Sequence, residues 1–335
     1  MARKKIWQFC TPFFYAAYLM RFQHQRYASS WQTKGTPLQQ LLQRYSIEVL
    51  PKVVAEIPSV QTLLPLGTQV YVAHIENTPV SDMIAATKTL SEQGMEPVPH
   101  IPARLMENKS TLQNLVCRYQ QEAQVTQALL IAGGRSEPLG DFQSSFQLLQ
   151  TGCFDDFDKL HFAGHPEGHS HMSDLELVDV LLAKQQYCAS QDIEGIIVTQ
   201  FGFDAERIWN WSQQLYQNGI VLPIHVGVAG PTRLDQLLRY AWKCGVGPSL
   251  KVLQEQKSSA VATLLMNPWY EPTNLLETLA EKSQLIAESN DEILHRPEDS
   301  QRISRIEQIH FFPFGGLVRT AQWANHHSGL LAASP

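Results

Sequence analysis

The sequence is short of cysteine, of charge and of long apolar runs, and each shortage narrows the field. Its five cysteines, Cys10, Cys117, Cys153, Cys188 and Cys244, are odd in number and contain no CxxC pair. That argues against a disulfide framework and a zinc ribbon, and fits reduced thiols in the cytoplasm. Charged residues make up only 17% of the 335, with 26 Lys plus Arg against 32 Asp plus Glu and a net charge of -6. A phosphate backbone requires clustered positive charge, so nucleic acid is not expected as a partner. The apolar stretch Ile6–Met20 is too short to span a bilayer and is broken by Gln8, Thr11 and Pro12, so no membrane partner is expected either. Arg3, Lys4 and Lys5 ahead of it imitate a secretory signal, but no small-x-small cleavage site follows. Residues 1–40 are therefore expected to be an N-terminal extension packed on the main domain. There is no internal repeat, no low-complexity tract, no GxGxxG and no GxxxxGKS/T. The glycine fingerprints of a dinucleotide-binding open sheet and of a P-loop are thus missing.

What the chain does contain is 44% hydrophobic residue, enough for a sizeable core, laid out in a rhythm. Short apolar or β-branched runs occur at Tyr45–Leu50, Gln69–Ile75, Glu96–Ile101, Ala128–Ala132, Lys159–Gly164, Gly195–Gln200, Val221–Val228 and Gln308–Phe314. Most of their cores are continuously apolar, the pattern of strands buried on both faces. Between them lie amphipathic stretches of helical length: Ser81–Glu92, Thr111–Gln121, Ser173–Tyr187, Asp204–Asn218 and Thr232–Lys243. Residues 246–305 also read as helical, around Leu264 and Leu275–Glu288. Eight strands alternating with helices over about 290 residues predict a (β/α)8 TIM barrel over residues 41–330, with extra helices between the seventh and eighth strands. An open doubly wound sheet is the second choice.

A barrel places its active site at the C-terminal ends of the strands, so the residues there are the candidates. They include Glu48, His74, Glu76, His100, Gly133, Gly134, Arg135, His165, His169, Gln200 and Gly316. Glu48 sits in an apolar strand, where lost hydration raises a carboxyl's pKa and suits it to general-acid work; a salt-bridged glutamate at a strand end is the plainer alternative. His165, His169 and His171 could hold zinc in a barrel hydrolase, although no bridging ligand completes the set. Gln200 and Gln236 are neutral bidentate groups suited to an amide or a pterin-like ring.

In these residues the chain resembles the methylenetetrahydrofolate reductases, flavin enzymes on a (β/α)8 barrel. Ile196-Ile197-Val198-Thr199-Gln200-Phe201-Gly202-Phe203-Asp204 resembles the family's "ITQxFFD" segment, and Ser46-Ile47-Glu48-Val49-Leu50-Pro51 its "FEFFPP". Pro99-His100 and His165-Pro166-Glu167-Gly168-His169 are similar to its "PH" and "YPExH". The similarity runs from about Tyr45 to Arg319. It implies an FAD-dependent oxidoreductase interconverting 5,10-methylenetetrahydrofolate and 5-methyltetrahydrofolate, with NADH or NADPH as electron donor and a homo-oligomeric state. Glu48 would be the catalytic acid at N10. His74, His100, Ala132, Gly133, Gly134, His165, His169, Asp179 and Lys184 would contact the flavin. Gln200, Gln236, Tyr240 and Arg319 would bind folate.

The chain also departs from the family. The family's "LRGD" reads here Ile131-Ala132-Gly133-Gly134, so the Arg and the Asp are gone. Gln185 stands where a basic residue is usual, and Gly316 where the eighth strand's folate arginine would be, with Arg319 about one turn on. Loss of the Asp charge should favour the electron-rich reduced flavin, which suits a divergent member that oxidises 5-methyltetrahydrofolate. The other readings are the metal-dependent hydrolase built on His165, His169 and His171, and a catalytically silent folate- or flavin-binding paralogue.

Overall fold

The computed structural model describes residues 35–243, 268–293 and 304–330. Residues 1–34 of the expected extension lie outside this range, and the compact barrel unit begins at Pro37. The strands in chain order are β1 (Ser46–Val49), β2 (Gln69–Val72), β3 (Glu96–Pro102), β4 (Gln127–Ile131), β5 (Lys159–Gly164), β6 (Glu194–Thr199), β7 (Ile224–Ala229), β8 (Thr232–Arg233), β9 (Trp269–Tyr270) and β10 (Ile306–Phe312). Eight of them close into a parallel barrel in the order β1-β10-β7-β6-β5-β4-β3-β2, with β2 returning to β1. This is the expected (β/α)8 architecture. β7 starts at Ile224 rather than Val221, because Pro223 has no N–H to give the ladder. β8 and β9 form a separate antiparallel pair. The helix expected over Thr232–Lys243 accordingly begins at Leu234.

The helices are α1 (Pro37–Leu42), α2 (Pro51–Glu56), α3 (Val80–Glu92), α4 (Lys109–Ala123), α5 (Ser145–Gln150), α6 (Asp174–Gln191), α7 (Ala205–Gln217), α8 (Leu234–Lys243), α9 (Thr273–Ile293) and α10 (Leu317–Ser328). Their starts are encoded locally. Asn108 accepts from the Thr111 amide, Asp204 from the Arg207 amide, and Ser173 with Glu176 forms a capping box. Of the stretch 246–305, α9 bears out the helical expectation and β9 does not; Leu264 lies outside the described residues. None of the described helices is long and apolar enough to cross a membrane. Cys117, Cys153 and Cys188 are free.

The strands alternate. Ile47, Val70, Val72, Leu130, Phe162, Val226 and Phe311 join the core beneath the helices. The residues between them face the lumen; the strands are buried on both faces as expected, but the continuously apolar pattern holds in β4 and β6 and is broken by lumen-facing Tyr71, His161, His225 and His310 in β2, β5, β7 and β10. Part of the lumen is filled by an apolar cluster of Val98, Leu129, Ile131, Ile196 and Val198 with Tyr71. Interleaved with it is a polar column. Gln308 Nε2 donates to Gln69 Oε1 at 3.1 Å, and Gln69 Nε2 donates to Gln127 Oε1 at 3.0 Å. His161 Nε2 lies 3.3 Å from the same Gln127 oxygen, and Tyr71 Oη lies 2.8 Å from His161 Nδ1. TIM barrels usually fill this space with branched aliphatic side chains.

Candidate functional site

Glu48, the third residue of β1, faces the lumen near its mouth, and its side chain is 24% exposed. One carboxylate oxygen is 3.5 Å from His100 Nε2 on β3. Burial pushes the Glu48 carboxyl up to about 7. Burial, and secondarily His74, pushes His100 down to about 3, and burial lowers His74 as well. At neutral pH both imidazoles are therefore uncharged and the contact is not an ion pair. His100 Nε2 and His74 Nδ1 are buried without a hydrogen-bond partner.

On the far side of the mouth a cavity of about 1260 Å³ opens. It runs from Ile131, Ala163 and Gln200 at the strand ends outward between α5, α6 and α7. Ala132, Gly133, Gly134, His165, His169, His171 and Lys184 line it. Gly133 has φ +93°, and a Cβ there would sit 3.0 Å from the Pro102 Cβ, so the backbone passes close to β3. A Cβ on Gly134 would meet nothing within 4 Å. Two arginines hold the loops of the wall. Arg104 donates to the Arg135 and Gln143 carbonyls at 2.6 and 3.1 Å, while Arg135 pairs with Glu76. Arg207 donates to the Pro166 and Glu167 carbonyls at 3.2 and 3.3 Å.

Lys184 is the buried cation of this cavity, 4% exposed, with Nζ 5.1 Å from the Phe162 ring centroid. Among the described residues no carboxylate pairs with it. Burial pushes it down to about 8. His165 falls to about 4 through burial, then through His169 and Lys184; His169 is lowered by burial and His171. Gln185, where a basic residue was expected, faces the other way. It donates to the Gly219 carbonyl at 2.9 Å and accepts from the Val221 amide at 2.7 Å, tying α6 to the connection between α7 and β7.

The remaining candidates are not on the cavity wall. Asp179 is exposed on α6, out of phase with Leu177, Leu181 and Lys184, which face the cavity. Gln236 is half-buried on α8. Tyr240 is 37% exposed and already stacked on Phe314, 4.4 Å apart at 14°. Arg319 is exposed in the first turn of α10, 4.0 Å above the Trp269 ring. Sequence reasoning missed Arg104, Arg207, Phe314 and Trp269. Only Arg207 carries a local signal, following the Asp204 cap at the foot of a helix that abuts the His165 loop. The metal reading fares poorly. His169 Nδ1 accepts the His171 amide at 3.2 Å, and the His165, His169 and His171 rings stand 5.1 and 5.9 Å apart in sequence. No group of three potential ligands among the described residues is placed to hold a metal.

No family model matches the chain. Among solved structures it is similar to a lyase- or mutase-like protein from Burkholderia cenocepacia (8% identity, TM-score 0.38, covering 56% of this chain and 69% of that one). It is also similar to the intracellular xylanase TsXylA from Thermoanaerobacterium saccharolyticum (9%, 0.42, 84% and 90%) and to a GH20 beta-N-acetylhexosaminidase from Streptomyces coelicolor (11%, 0.30, 55% and 48%). Likeness at this level carries no argument about this chain's chemistry, and the barrel rests on the strand pairing described above.

Proposed function

We propose that the protein is an FAD-dependent oxidoreductase that interconverts 5,10-methylenetetrahydrofolate and 5-methyltetrahydrofolate, with NADH or NADPH as the reductant. The observation that carries this reading is the cavity. Ala132, Gly133, Gly134, His165, His169 and Lys184, drawn from three separate segments, line one space with Gln200 at its inner end. Its volume exceeds the roughly 300–1,000 Å³ of ordinary small-molecule sites, as a dinucleotide cofactor requires. The donor set fits too. A buried ammonium without a carboxylate partner suits a pyrophosphate, a glycine backbone admits a flat ring, and neutral imidazoles can donate or accept.

Bound there, FAD would supply hydride acceptance and donation. The chain's own residues do the rest. Lys184 neutralises the phosphates, and the Arg104 and Arg207 clamps fix the loops that face the ring. Gln200 and Gln236 suit the amide-like edge of a pterin, and Arg319 a substrate carboxylate. Glu48, with a carboxyl near 7, holds a proton at working pH and gives it to N10 of the methylene substrate. The N10–carbon bond then opens to an iminium carbon able to take hydride. In the reverse direction the Glu48 carboxylate takes the proton back.

The test is anaerobic mixing of the purified, FAD-loaded chain with 5-methyltetrahydrofolate, NADH and NADPH separately. The visible flavin band should bleach with 5-methyltetrahydrofolate and with at least one nicotinamide. A chain that takes up no FAD, or a yellow one that none of the three bleaches, overturns the reading.

A further inference from the structure

The lumen beneath Glu48 determines what His100 can do. Gln127 Oε1 is an acceptor and already receives Gln69 Nε2, so His161 must present Nε2–H to it. His161 Nδ1 is then the lone pair, and the Tyr71 hydroxyl donates to it at 2.8 Å. Tyr71 lies edge-on to His100, with ring centroids 6.3 Å apart, but its proton is committed to the floor of the barrel. His310 is committed as well, through Nδ1 to Ser46 Oγ at 3.0 Å. His74 is engaged by the Thr78 backbone. The Glu48 carboxyl lies 3.5 Å from the buried, unpartnered His100 Nε2, and the neighbouring His74 Nδ1 is unpartnered too. Such bonds are often long in an empty site and tighten when it fills.

We propose that His100 is a positioning residue whose Nε2 accepts a hydrogen bond from the protonated Glu48 carboxyl, keeping that carboxyl protonated until an incoming substrate nitrogen takes over as the acceptor of the same O–H. The proposal rests on Glu48 being the acid. It gives the polar column a purpose: by drawing the Tyr71 proton downward, the column keeps the Tyr71 hydroxyl from donating to His100. The titratable groups around this pair are Tyr71, opposite Glu48 in the β1–β2 ladder and edge-on to His100, and His74 and His310, which couple electrostatically to His100.

Two variants separate this from simple burial. His100→Met keeps volume and removes the acceptor; His100→Gln keeps an acceptor oxygen. The readout is the infrared band of the protonated carboxyl, assigned by its absence in Glu48→Gln and followed across neutral pH in the full chain. His100→Met should lower the apparent pKa of Glu48 by about one unit or more, because a bond to the neutral form has been lost. His100→Gln should leave it near the wild-type value, and so should Tyr71→Phe. If burial alone sets the carboxyl, His100→Met leaves the midpoint in place or raises it, and the proposal is overturned. A wild-type chain with no carboxyl titrating near neutrality overturns it equally. The titration needs neither flavin nor turnover, so failure of the proposed function is visible separately.

Discussion

Gly134 is the residue at which this chain parts most clearly from the family it resembles, and it is also a clean place to intervene. Its φ is not in the left-handed region, and a Cβ would meet nothing within 4 Å, so a side chain costs little there. Gly133, next to it, is closed to the same change by φ +93° and the nearby Pro102. On the proposed function, a carboxylate at this cavity wall would oppose the electron-rich reduced form of the flavin. Gly134→Asp should therefore fold and bind FAD, but lower the flavin midpoint potential by roughly 30 mV, the equivalent of about 1.4 kcal/mol for a two-electron couple. Spectroelectrochemical titration of both proteins checks this; an unchanged or higher potential contradicts it. The departure itself was legible in the sequence. The free space around it was not, because that depends on how far the loop held by Arg104 stands from α5.

Helix α6 shows what periodicity reveals and what it hides. Its start could be read at Ser173, but it runs to Gln191, four residues past the Tyr187 expected from the sequence. The phase was equally available: Leu177, Leu181 and Lys184 recur at i, i+4 and i+7, whereas Asp179 falls on the opposite side. Shorter elements escaped. α1, α2 and α5 are six residues each, too short for a helical period to register. On α6 the functional group is also a structural burden. Lys184 is lowered from 10.5 to about 8, so at neutral pH the fold buries a charge that the unfolded chain solvates. Stability is lost as pH falls from the unfolded value towards 8 and stays lost below it. Lys184→Met should stabilise the cofactor-free chain at neutral pH by up to about 3 kcal/mol, since one pKa unit is worth about 1.4 kcal/mol, and should weaken FAD binding at least about tenfold. Denaturant unfolding and a flavin binding titration read the two effects. A loss of stability with unchanged affinity would contradict the assignment.

For the whole molecule, the barrel count and strand order were readable because outward-facing residues give each strand an apolar run. The polar lumen was not, because Tyr71, His161, His225 and His310 are single breaks within those runs and Gln69 stands at the edge of one, and only closure of the sheet brings them together. That lumen, together with His165 on the cavity wall, should make the fold sensitive to acid. Burial lowers His100 and His225 to about 3, His165 to about 4, and His161 and His310 well below 6.5. The unfolded chain takes up these protons first, so stability is intact above about 6.5 and falls as pH drops towards 3. Glu48 runs the other way: raised from 4.5 to about 7, it costs stability as pH rises through that window, but it is one group against five. Unfolding free energy should therefore fall steeply from neutral pH towards about 4, with a slope of more than one proton; a flat profile would show that these histidines are hydrated. The central claim, that Glu48 is the proton donor for folate chemistry beside a flavin, has a more direct test. The flavin of wild type and of Glu48→Gln is first reduced anaerobically with dithionite and then mixed with methylenetetrahydrofolate. The account predicts that wild type is reoxidised while the variant, equally yellow beforehand, stays bleached; reoxidation of the variant at the wild-type rate would contradict it.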